Sequence, residues 1–127
     1  DYIKNVYFQG FTKNPEQYMA AADVFCLPRY LEGFGSSVLE AAACGVPAVA
    51  TNIYGLIDAV ADGITGVLVP PRDANSLANA LIKLLKDDTQ RQLMGQQARI
   101  RAVDDFSQQI VVLGLSDYLE QAMRSAP

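Results

Sequence analysis

The chain has 127 residues, half of them apolar, with a formal net charge of −4 and no histidine. That length supports one domain with a real core. The acidic balance, without any basic run, argues against a nucleic-acid surface, which needs clustered Lys and Arg. A chain without histidine cannot contain a Ser-His-Asp triad, a Cys-His pair or a His-ligated zinc.

In chain order, Val6 to Phe8 reads as a short strand closed by Gly10. Asn14-Pro15-Glu16 starts a short helix running to about Ala22, with proline suited to the first helical position. Val24 to Leu27 is apolar without alternation, the pattern of a strand covered on both faces. A helix from Gly35 to Cys44 follows, apolar nearly all round and stopped at Gly45. Pro47 to Thr51 forms the next strand, Leu56 to Ala61 a short helix, and Gly66 to Val69 another strand stopped by Pro70-Pro71. Asp73 caps a helix with Leu77, Leu81, Leu84 and Leu85 at helical spacing. Asp87-Asp88-Thr89 begins a further helix, and Ser107 caps a last one carrying Ile110, Leu115 and Leu119.

Strands alternating with helices predict an α/β domain built on a parallel sheet. Ligands of such sheets bind beyond the carboxyl ends of the strands, here the loops at 10–14, 28–35 and 51–55. No apolar run is long enough to cross a bilayer as a helix. Cys26 and Cys44, set in an apolar strand and an apolar helix, read as buried free thiols, as expected of a cytoplasmic protein.

Chemistry concentrates between Glu32 and Pro47, in the run EGFGSSVLEAAACGVP. Gly33 and Gly35 around Phe34 let the backbone approach a ligand closely and leave N–H groups free at a helix start. Glu40 is the only charge between Gly33 and Gly55, and Ser36 lies one helical turn before it on the same face. A carboxylate on a helix built for burial needs a partner, and a pair of ligand hydroxyls would serve. The alternative is that Glu40 reaches the helix edge and meets solvent. Glu32, on the loop eight positions earlier, would alone read as a surface group.

The two glutamates at this spacing resemble the E-x7-E signature of retaining GT-B glycosyltransferases, particularly glycosyltransferase family 4. Asn5-Val6-Tyr7-Phe8-Gln9-Gly10 is similar to that family's N-V-x-F-x-G strand, which removes the alternative that it is a protease-site tag remnant. Ala21 to Pro28 is similar to its A-A-D-x-x-x-x-P strand, and Gly55 to Asp73 to its G-x-x-E…D-G-x-T-G-x-L-V-P-P-x-D segment.

The resemblance implies a Rossmann-like parallel sheet with flanking helices, the C-terminal half of a GT-B fold, truncated at its N-terminal side. It implies binding of a nucleotide-diphosphate-sugar donor and transfer of the sugar, with retention, to an acceptor such as a glycan or lipid-linked glycan. Glu32 would stand near the transferred sugar as the catalytic residue, and Glu40 would bind the ribose hydroxyls. Gly33, Phe34, Gly35, Ser36 and Ser37 would meet sugar hydroxyls and diphosphate through their backbone. No cofactor and no metal is implied. The acceptor domain and the basic phosphate-binding residues would lie upstream, so the 127-residue piece alone is expected to be inactive, and the full-length protein could sit peripherally at the inner membrane face. Other readings of the fold are a non-catalytic nucleotide-sugar-binding module or a sugar-nucleotide epimerase, although the latter usually relies on a histidine in this half. Arg29 reads as a phosphate contact or, more simply, a surface charge, while Tyr54 and Asp58 depart from the family's usual Gly and Glu. Unpaired strand edges and the apolar face of the last helix lead to an expectation of self-association or rearrangement of the first strand.

Overall fold

Strands β1 (Phe25–Leu27), β2 (Ala48–Thr51) and β3 (Gly66–Val69) form a parallel sheet in the order β1-β2-β3. They are seen in a computed structural model that describes residues 2–125. The surrounding helices are α1 (Pro15–Ala20), α2 (Ser36–Ala43), α3 (Leu56–Ala59), α4 (Ala74–Lys86), α5 (Asp88–Phe106) and α6 (Gln108–Arg124). The architecture is the Rossmann-like α/β layering expected, with helices on both faces of the sheet.

Alternation along β2 divides the core. Ala48 and Ala50 face α2 and α3, joining Val38, Leu56, Ala59 and Val60. Val49 faces the other way, joining Val69, Leu84 of α4 and Met94 of α5. Asp73 caps α4 as expected, its carboxylate accepting from the Ser76 N–H at 2.9 Å and the Ser76 hydroxyl at 2.7 Å. That holds the carboxyl below its ordinary value, chiefly through the Ser76 N–H.

Helix α5 is the strut of the domain. Its small residues Ala98 and Ala102 pack on Ala42 of α2, and Gly95 lies against Gly45, where the neighbouring carbonyl leaves no room for a side chain. Three of its arginines donate to the last carbonyls of three earlier helices, groups that a helix end leaves without partners. Arg91 reaches Leu84 O and Leu85 O of α4, Arg99 reaches Ala43 O of α2, and Arg101 reaches Asp58 O and Ala59 O of α3.

Several expectations need correction. Val6 to Phe8 forms no strand; after a 3-10 turn at Tyr2–Asn5 the chain runs irregular and exposed to the start of α1. A strand needs a partner across its edge, and β1 pairs only with β2 among the described residues. The covered-both-faces reading of Val24 to Leu27 also fails, because β1 is half-buried on one face and open on the other. Cys26 on that open face is exposed and Cys44 only half-buried, so neither is a buried thiol. Ser107 stands at the N-cap of α6, but its side chain makes no capping hydrogen bond. Among the described residues no helix is long and apolar enough to cross a membrane.

Candidate functional site

The loop leaving β1 delivers Glu32 to the start of α2, at the carboxyl edge of the sheet. Glu32 is held at both oxygens. Arg29 Nη1 lies 3.3 Å from Oε2, and the Gly33 N–H donates to Oε1 at 3.0 Å. Arg29 is mostly exposed, so the pair adds at most about 1 kcal/mol of stability. What it does is orient the carboxylate. Arg29 is therefore a partner of Glu32 rather than an isolated surface charge.

The following turn fits tightly against α3. Gly35 occupies the N-cap of α2, and a side chain there would meet Leu56 Cδ2 at 2.6 Å. Gly55, just before α3, has φ of 87°, and a Cβ on it would lie 2.5 Å from Glu32 O and 2.6 Å from Gly33 O. Only glycine permits both that dihedral and that approach. No side chain caps α2, so its start presents backbone N–H groups and the positive end of the helix dipole to whatever lies in front.

Ser36, Leu39, Glu40 and Ala43 lie along one face of α2 and line an open groove of about 410 Å³. Its opposite wall is Ala102, Val103, Phe106 and Ser107 at the α5–α6 junction. Glu40 is exposed there, together with Ser36. Of the two readings of Glu40, the position fits the second: Val38, Ala41 and Ala42 face the core, while Glu40 is at the exposed helix edge. Phe34 is exposed at 45% and Ser37 is half-buried. A larger cavity of about 520 Å³, lined in part by Pro28, Tyr30, Thr51 and Arg72, includes neither Glu32 nor Glu40.

Arg101, Phe106 and Ser107 are parts of this neighbourhood that motif reading missed. The one available signal was that Phe106 is the only aromatic residue between Tyr54 and Tyr118. Among the described residues no group of three or more Cys, Asp or Glu side chains is placed to hold a metal ion.

Residues 1–101 match the family described as glycosyl transferases group 1. The chain belongs to that family. It is 36% identical over 107 residues to the capsular polysaccharide biosynthesis glycosyltransferase CapM of Staphylococcus aureus, covering 84% of this chain and 28% of CapM. Among solved structures, sucrose-phosphate synthase from Thermosynechococcus elongatus superposes with a TM-score of 0.79 at 37% identity, over 86% of this chain and 27% of that one. Anabaena HepE, solved in complex with UDP and glucose, superposes with a TM-score of 0.87 at 28% identity, over 93% and 32%. These structural relatives are GT-B glycosyltransferases, and this group 1 chain has the Rossmann-like architecture of their C-terminal half. It spans only about a quarter to a third of the length of each of the three.

Proposed function

We propose that this chain is the donor-binding part of a retaining glycosyltransferase of family 4 type, taking a nucleotide-diphosphate sugar. One arrangement carries the reading: a glutamate fixed on a glycine turn, an uncapped helix start, and a second glutamate and serine along the same helix beside a groove. The HepE complex with UDP and glucose supports a donor of that class.

In this reading Glu40 accepts hydrogen bonds from the ribose hydroxyls at the exposed edge of α2. The backbone of Gly33, Phe34, Gly35, Ser36 and Ser37 meets the sugar hydroxyls and the diphosphate. Charge builds on the diphosphate as the sugar departs, and the helix start stabilises it most when the site is closed to water. Glu32, oriented by Arg29, stands at the sugar end as the catalytic carboxylate. The acceptor is a glycan or lipid-linked glycan, in line with the capsular-polysaccharide relative, and is bound by a separate domain. In this reading the intact enzyme sits peripherally at the inner membrane face.

The test uses the intact enzyme with UDP in calorimetry and donor sugar in a transfer assay. Glu40→Ala should weaken UDP binding roughly tenfold to a hundredfold, the loss of hydrogen bonds to a charged group. Glu32→Ala should keep UDP affinity and lose at least about a hundredfold in transfer. Wild-type affinity and turnover in both variants would remove the assignment. Binding without any turnover, in wild type as in the variants, would favour a non-catalytic module.

A further inference from the structure

The Gly33–Gly35 turn has an external support. The Phe34 ring packs on Phe106 of α5, with centroids 5.8 Å apart and planes tilted by 55°. The Arg101 guanidinium lies over the same Phe106 ring, 5.0 Å from its centroid. Arg101 also donates Nη1 to Ala59 O at 2.9 Å and Nη2 to Asp58 O at 2.8 Å. Those carbonyls end α3, and Leu56 and Ala59 of the same helix are the side chains that stand against Gly35. The contacts therefore close a ring: turn to α3, α3 to Arg101, Arg101 to Phe106, Phe106 to Phe34, and back to the turn.

We propose that Arg101 and Phe106 are positioning residues that brace this turn, fixing the direction of the α2 N–H groups before any ligand arrives. The brace itself stands on these contacts; its service to a donor rests on the function proposed above. Two glycines around one aromatic make a turn that is entropically loose on its own. A ligand would then have to order it on binding, at a cost in affinity. Arginine suits the place because two neighbouring carbonyls need a fork of donors that lysine lacks. Phe106 also lines the groove beside Ser36 and Glu40, so movement of its ring reaches the site directly.

The experiment compares Arg101→Lys, Phe106→Leu, Phe106→Tyr and Arg91→Lys in the full-length enzyme, by amide hydrogen exchange over residues 33–37 and by UDP titration. Arg91 is the control, since it holds helix-end carbonyls in the same way but at α4. Arg101→Lys and Phe106→Leu should speed exchange in the turn roughly three- to tenfold, the factor for losing one aromatic or cation–π contact. UDP affinity should fall by a similar factor, exchange in β2 and α4 should stay unchanged, and Phe106→Tyr should restore the turn. Arg91→Lys should leave turn and affinity within about twofold. Unchanged exchange at 33–37 in both test variants would overturn the brace, and so would equal acceleration in β2 or the same effect from Arg91→Lys. If wild type binds no UDP while the turn still loosens in the variants, the brace stands and the donor assignment falls.

Discussion

Cys26 and Val49 are direct partners in neighbouring strands of one parallel sheet, yet Val49 is fully buried and Cys26 is exposed. Their strands are equally apolar in sequence. The difference comes from what lies above them. Helix α4 and Met94 of α5 cover β2 and β3 on this face, and among the described residues Cys26 lies outside that cluster. On the opposite face Phe25 and Leu27 pack, half-buried, against the α2–α3 cluster. An unbroken apolar run therefore announces a strand, while its burial is decided by helices far away in the sequence.

The sharpest way to break that comparison is to place the same charge at both positions. Val49→Asp in the 127-residue chain puts an unpaired carboxylate among Val69, Leu84 and Met94. The expected cost exceeds about 4 kcal/mol and removes cooperative unfolding by circular dichroism. Cys26→Asp should change stability by no more than about 0.5 kcal/mol. Loss of folding in both would mean that the outer face of β1 is covered in solution, as a self-associated chain would cover it.

A second contrast sets the site-bearing half against the exposed N-terminal segment. Gly55 and Gly10 both have positive φ, 87° and 71°, but only Gly55 is pressed against other backbone, the Glu32 and Gly33 carbonyls. Gly55→Ala should cost about 1–3 kcal/mol, with strain and displacement added together, and should also disturb Glu32. Gly10→Ala carries the dihedral penalty alone, in open space, on a segment with few contacts to lose. Its effect in the same urea titration should be well below that of Gly55→Ala. Equal effects would show that the Gly55 contact gives way easily and does not hold the turn.

What was legible in the sequence follows the same line. The alternation of elements, the Asp73 cap and the placement of Glu32 and Glu40 around a helix start depend on residues close in the chain, and local patterns report them. The sequence pattern at Val6 to Phe8 predicts a strand that the fold lacks, because a strand's existence depends on a neighbour to pair with. The sequence leaves Glu40 open between a partnered and an edge position because alanines flank it, and the fold decides it, since only one side of α2 meets the core. The Arg29–Glu32 pair, three residues apart, lies within reach of local reasoning, although Arg29 by itself reads as a phosphate contact or a surface charge. The Arg101–Phe106 brace joins residues more than forty positions apart, and nothing local marks it apart from one lone aromatic.

The smallest expected effect concerns the two capped ends that looked alike in the sequence. The Asp73 side chain accepts two hydrogen bonds from Ser76, whereas the Ser107 side chain at the start of α6 makes no capping hydrogen bond. The Ser76 N–H, and then its hydroxyl, hold the folded Asp73 carboxyl below its ordinary value. The unfolded chain then binds the proton more readily, so stability rises with pH through this range. The contribution is complete above the ordinary carboxylate pKa of about 4 and is lost as the pH falls through the lower folded value. Thermal melts should show wild type above Asp73→Asn at pH 6, with the gap closing towards pH 3. Ser107→Ala should follow wild type at every pH, because there is no capping bond to lose. A Ser107→Ala melt that drops as far as that of Asp73→Asn would show that α6 is capped in solution after all. The contrast between the two helix starts would then disappear.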